Sequence, residues 1–143
     1  LDWSHLLFGF DGRIGRKPFW IAVLVVTAAE IVCHLVAQRL EGERLSAIVD
    51  LAFSYPEFAI FAKRAHDRAL ATWVPGLFFL LGVVMDFFVI MGWGGEGGDN
   101  PGTLFLVLSF PWTVFAIALL LDLGLRRGTR GGNRFGPDPL NHA

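Results

Sequence analysis

The chain has 143 residues, of which 54% are hydrophobic and only 17% charged; its formal net charge is −1 and its mean hydropathy +0.54. Soluble domains carry about 25% charged residues, so there is too little polar material to coat a water-soluble fold of this size, and the apolar residues fall in membrane-like blocks. A single cysteine, Cys33, excludes an internal disulfide and a cysteine-based metal site.

The sequence opens on Leu1 rather than Met, so further residues before it are expected. The first apolar block, about 19–40, follows basic residues as a secretory h-region does. It is too long for one and lacks a small-x-small cleavage site, so it reads as a retained helix, span one. Cys33 lies inside it and is expected to be a small buried hydrophobe. Span two, about 45–62, is shorter and carries Asp50, Pro56 and Glu57, which leaves open a tilted or re-entrant path. Span three covers about 72–93 and span four about 103–124, joined by the glycine-rich turn GWGGEGGDNPG, which has no phosphate-binding pattern. At a rise of about 1.5 Å per residue, roughly 20 residues cross about 30 Å of hydrocarbon. Helix is the open-chain conformation that pairs every backbone polar group within the segment, as lipid demands. Pro56, Pro75 and Pro111 are expected to bend helices or mark first turns.

The predicted fold is therefore all-α: an integral membrane bundle of four transmembrane helices forming a single membrane domain over 1–143, with a cytoplasmic tail over 125–143. Orientation follows from Lys and Arg. Arg13, Arg16 and Lys17 precede span one; Lys63, Arg64 and Arg68 lie between spans two and three; Arg126, Arg127, Arg130 and Arg134 follow span four. The opposite side has Arg39 and Arg44, offset by Glu41 and Glu43. This ten-to-two split predicts both termini inside, N-in and C-in. Trp20, Trp73 and Trp93 fall near span ends, where amphipathic rings prefer to sit.

Three motifs lie on that basic side: FDGRIGRKPFW (Phe10 to Trp20), KRAHDRALATW (Lys63 to Trp73) and RGTRGGNRFGPDP (Arg127 to Pro139). In this order around these spans they resemble the family called Domain of Unknown Function 805, small bacterial inner-membrane proteins, over nearly the whole chain. Gly12, Arg13, Arg16, Phe19 and Trp20 fit its first motif; Arg64, His66 and Asp67 its second; Asn133, Arg134, Phe135, Gly136, Asp138 and Pro139 its third. Lys63 stands where that pattern has Arg, and Ala71-Thr72 where it has Ser-Gly. The resemblance implies a multi-pass protein of the bacterial inner (cytoplasmic) membrane and no particular activity.

Two groups of polar residues are candidate sites. Arg13, Arg16, Arg64, His66, Asp67, Asn133, Arg134 and Asp138 are expected to converge at the cytoplasmic mouths of the spans. There, Arg–carboxylate pairs would fasten the N-terminal segment, the central loop and the tail, or hold an anionic lipid headgroup. His66 and Asp67 are helix neighbours and so do not face each other; with no nucleophile motif beside them, no catalytic residue is assigned and an enzyme is not expected. Glu30, His34, Asp50, Glu57 and Asp86 lie inside spans, where charge is costly. Glu30 and His34 share a helical face, and depth counting gathers His34, Asp50 and Asp86 into an outer cluster suited to a cation or a proton. No metal or cofactor is assigned: His34 lies near the outer face and His66 near the inner, so no pair of His shares a depth, which argues against a bis-His haem within one chain. The leading expectation for function is a non-enzymatic accessory or assembly subunit that associates with other membrane proteins, a second copy or lipid. An anionic-lipid binder and a small proton or cation transporter or channel are the alternatives. Nucleic acid is not an expected partner, because the basic residues are distributed against a bilayer.

Overall fold

A computed structural model describes residues 2–92 and 103–140. Its elements are α1 (Trp3–Phe8), α2 (Arg16–Glu41), α3 (Glu43–Asp67), α4 (Trp73–Ile90) and α5 (Thr103–Leu125). The last four are long and apolar enough to cross a membrane, as the four apolar blocks require. Trp93 and most of the glycine-rich turn lie outside the described residues.

The short helix α1 was not foreseen. Its start is fixed by Asp2, whose carboxylate accepts from the Ser4 and His5 amides at 3.1 and 3.2 Å, an N-cap that satisfies two otherwise orphan donors. Its end is held by Lys63 of α3, whose Nζ donates to the carbonyls of His5, at 2.8 Å, and Gly9. Leu6 packs into the core beside α3.

Span two is one unbroken helix, long and apolar enough to cross. α3 runs 25 residues with Pro56 inside it; its low apolar content reflects carboxylates that face other helices rather than a re-entrant path. Gly42 alone joins α2 to α3. Its φ of 78° and its amide bond to the Gln38 carbonyl, 3.1 Å, make a one-residue reversal that a side chain would strain. Pro75 lies in the first turn of α4, where its missing amide leaves no gap, whereas Pro111 is internal to α5.

α3 is the centre of the bundle, packing on α1, α2, α4 and α5. Lipid gives no hydrophobic drive between helices, so close backbone approach and van der Waals contact must hold them together. The buried positions fit that demand: Ala22 and Ala37 on α2, and Ser46, Ala47, Ala59, Ala62 and Ala65 on α3. At the end of the bundle nearest the termini, aromatic rings fill what small residues leave. Phe19 meets Phe61 edge-on at 5.3 Å, Phe61 meets Phe79 at 5.5 Å, and Phe78 stacks on Trp112 at 4.9 Å.

The outward faces carry large apolar residues, such as Leu24, Val32 and Phe110. Cys33 belongs to them: it is exposed on α2 rather than buried. In a bilayer an apolar side chain is as well solvated outside the bundle as inside it, so hydrophobicity alone did not fix which way Cys33 turns.

Candidate functional site

The basic-side residues form a clasp around Asp67, at the end of α3. Arg13 donates from Nε and Nη2 to Asp67 Oδ1 at 3.2 and 2.9 Å. It also reaches the tail, donating to the carbonyls of Thr129 (2.8 Å), Gly131 (2.8 Å) and Gly136 (3.2 Å). Arg64 donates to Asp67 Oδ2 and to the carbonyls of Leu123 (2.6 Å), Arg126 (2.7 Å) and Ile14 (3.3 Å). The three side chains are 1%, 0% and 4% exposed for Arg13, Arg64 and Asp67. Buried charge is tolerable only when paired and hydrogen-bonded, and here one carboxylate serves two guanidiniums whose remaining donors reach main-chain oxygens. The void beside them is about 20 Å³, room for one water. A phosphate would have to displace these bonds.

The other predicted residues join the same network. His66 Nδ1 donates to the Gly12 carbonyl at 3.1 Å, and Nε2 lies 2.7 Å from the Thr72 hydroxyl. Asp67 therefore does not orient it. Phe135 stacks flat on the His66 ring at 3.9 Å, with the Arg134 guanidinium 4.6 Å from the far ring's centroid. Asn133 donates to the His66 carbonyl and to Thr129 Oγ1, both at 2.9 Å, and caps its own turn by accepting from the Phe135 amide. Asp138 accepts from the amides of Leu140 (3.0 Å) and Gly131 (2.9 Å), which hold its carboxyl below the usual range. Arg16 is more peripheral, exposed and bonded to the Leu125 carbonyl at 3.3 Å.

Some of the clasp was missed in the sequence. Thr129 donates from its amide and hydroxyl to the Asp67 carbonyl at 2.8 and 3.0 Å. A Cβ on Gly128 would overlap the Asp67 carboxylate, so that glycine sets how closely the tail can approach. Thr72 stands where the resembled pattern has glycine, and its hydroxyl bonds His66, a contact glycine has no atom to make.

The intramembrane residues lie elsewhere, around a cavity of about 950 Å³ walled by α2, α3, α4 and α5. Glu30, His34, Asp50, Glu57 and Asp86 all line it. His34 Nδ1 meets both Asp50 oxygens at 2.8 and 3.0 Å, and Thr27 donates to Glu57 at 3.1 Å. Of the three residues that depth counting gathers, His34 and Asp50 are in contact and Asp86 lines the same cavity. What counting could not supply was the space between them, which exists because α2 and α4 both pack chiefly on α3. Among the described residues no three potential ligands converge as a metal site; the carboxylates are spread along the wall. Asp122, at the clasp end of α5, pairs instead with Arg126 at 3.0 Å and Arg68 at 3.4 Å.

The chain belongs to the family described as protein of unknown function (DUF805), whose model matches residues 7–137. It is 31% identical over 138 residues to the uncharacterized protein YiiR of Escherichia coli K12, covering 92% of this chain and 86% of that one. It is 26% identical over 137 residues to the inner membrane protein YhaH of the same organism, covering 92% and 87%. No solved structure matches it. With four helices long and apolar enough to span, it is a multi-pass inner-membrane protein.

Proposed function

We propose that the chain is a binding protein for a positively charged guest within the membrane, that the acid-lined cavity is its site, and that the clasp is the brace that shapes it. The observation that carries this reading is the cavity itself: about 950 Å³ inside a small bundle, with five carboxylates (Glu30, Glu43, Asp50, Glu57 and Asp86) and a histidine on its wall. Ligand sites are typically clefts of about 300–1,000 Å³, mostly apolar, with a few placed polar groups, and the space between bundled helices is a preferred location. Each intramembrane acid costs about 2.5–3.5 kcal/mol on insertion scales, and a guest of opposite charge offsets that cost. Dispersed carboxylates suit an organic cation better than a metal ion, which needs converging ligands.

Both termini inside remains the orientation the Lys/Arg distribution supports, which puts Asp50, His34 and Asp86 toward the outer leaflet. An accessory subunit is the second reading; the apolar faces around Val32 and Phe110 suit lipid or a partner equally well. An anionic-lipid site at the clasp is less favoured, because Arg13 and Arg64 already spend their donors within the chain.

The test is equilibrium dialysis of tetraphenylphosphonium against the protein in nanodiscs of digalactosyldiacylglycerol, a bilayer lipid with no cationic head. One saturable site above empty nanodiscs is expected, weakened at least about tenfold in Glu30→Gln/Glu57→Gln; each 1.4 kcal/mol of lost attraction is a factor of ten. Uptake equal to that of empty nanodiscs would refute the reading.

A further inference from the structure

The cavity has two different ends. Toward the clasp its wall is aromatic and aliphatic: Trp20, Phe61, Phe78, Phe79, Trp112 and Leu120. Toward the α2–α3 turn it carries its carboxylates, Glu30, Glu43, Asp50, Glu57 and Asp86, and His34, set among apolar neighbours such as Val89 and Phe105. From Trp20 to Glu30 is ten residues of α2, about 15 Å of rise, and from Trp20 to Gln38, also on the wall, about 27 Å. A compact cation would use the acid end and leave the aromatic end empty.

The cavity is also open sideways. At the clasp end α2 and α5 are tied, by Arg16 to the Leu125 carbonyl and by Trp20 Nε1 to the Gly124 carbonyl at 3.1 Å. Gly124 lies so close under the Trp20 indole that a Cβ there would overlap the ring. Both bonds lie in the last turn of α5. Past Trp20, Leu24 and Ile31 line the cavity and yet are 64% and 53% exposed, so they form a rim rather than a wall. Ala116 of α5, a small residue, also lines the cavity. His34 and Asp50 side chains are 36% and 28% exposed, so the acid end is reachable as well.

From this asymmetry and this slot we infer that the guest is an ammonium amphiphile, with its apolar tail on the aromatic floor and its head among the carboxylates, entering laterally from the bilayer between α2 and α5. The inference rests on the cation-binding reading and names its ligand class. The floor provides the apolar, aromatic lining that ligand clefts favour, and the far end provides charge complementarity in a medium where attraction is weakly screened. The tied, aromatic end closes the route past the clasp. Two sources share this chemistry: a two-chain bilayer lipid with an amine in its head, and a free single-chain alkylammonium.

The experiment uses the full chain in nanodiscs of digalactosyldiacylglycerol, a bilayer lipid with no amine, with three probes that carry a photoreactive group near the tail end. They are an alkyltrimethylammonium, a phosphatidylethanolamine, and an alkyl sulfate of the same length as the first. Labelled residues are mapped by peptide mass spectrometry. Labelling of the cavity residues Phe78, Phe79, Gly82, Trp112, Ala116 and Leu120 by one of the first two, at least tenfold above the sulfate, supports the inference and tells which source supplies the guest. Labelling by both supports the shared chemistry. Ala116→Trp should plug the slot and lower it at least fivefold, and the comparison of probes on the unaltered chain stands without that variant. Equal labelling by the sulfate, or labelling confined to outward residues such as Phe110 and Val114, overturns the inference. If tetraphenylphosphonium still binds saturably in that case, only the amphiphile class falls; if it does not, the cation site falls with it.

Discussion

Replacing Asp67 by Asn removes one negative charge and leaves two guanidiniums buried side by side. Arg13 and Arg64 are 1% and 0% exposed and both depend on this carboxylate. Removing one partner of a buried ion pair costs about 3–5 kcal/mol. The carbonyls of Thr129, Gly131, Gly136, Leu123 and Arg126 remain to hold the two arginines, so the lower end, about 3 kcal/mol, is expected. The local way to relieve the strain is for the tail to detach, because Arg13 reaches the tail directly. About 3 kcal/mol raises the population of that open state about 100-fold. Trypsin reads that population when opening and closing are fast relative to cleavage, and the tail offers Arg127, Arg130 and Arg134. The rate of tail cleavage in Asp67→Asn should therefore rise about 100-fold in nanodiscs. Asp122→Asn is the control: Arg126, its nearer partner at 3.0 Å, is 71% exposed, and the half-buried Arg68 is held only at 3.4 Å; an exposed pair contributes at most about 1 kcal/mol, so the change should stay within a few-fold. A rise under threefold for Asp67→Asn would refute the view that this carboxylate holds the tail.

Gly124→Ala should lower stability by about 1–3 kcal/mol in a denaturing-detergent titration, because its Cβ overlaps the Trp20 ring; adding Trp20→Phe should restore part of the loss. Asp138, whose carboxyl is held below its usual range by the Leu140 and Gly131 amides, adds stability to the tail turn that is present in full above its unfolded value. That contribution is lost as pH falls through the lower folded value. The amide resonances of Gly131 and Leu140 should accordingly titrate with a midpoint below that of the free tail peptide, and the transition should vanish in Asp138→Asn. In a Cys33→Ser background, cysteine placed at Arg130 should react with a membrane-impermeant maleimide from the cytoplasmic side of vesicles; reaction from the opposite side would reverse the orientation.

The four long helices were legible because block length and hydropathy respond directly to bilayer thickness. α3 was the least clear from sequence, since Asp50, Pro56 and Glu57 lower its hydropathy, and only the positions of α2 and α4 reveal that the two acids have an interior to face. α1 escaped notice because six residues are too few to show a period; its signal was the Asp2 cap ahead of Ser4 and His5. The identities of the clasp residues came from motif resemblance and were nearly complete. Their pairing was not legible, since Arg13, Asp67 and Thr129 are brought together by helix ends far apart in the chain. Thr129 and Gly128 lay inside a recognised motif without standing out, one acting through a hydroxyl and main chain, the other through having no side chain. The cavity could not be read at all, because a void is set by helix crossing and has no residue of its own.

Arg13 and Arg64 acquire their tail partners, at Thr129, Gly131 and Arg126, only after the fourth span has left the ribosome. Until then a nascent chain holding the first three spans must keep two arginines hydrated at the membrane surface, with a single aspartate between them. The N-terminal segment is made before its partners in the tail, so it cannot lock until they arrive. A chain stalled before that point lacks the carbonyls of Leu123, Arg126, Thr129 and Gly131, and its two arginines have Asp67 as their acidic partner.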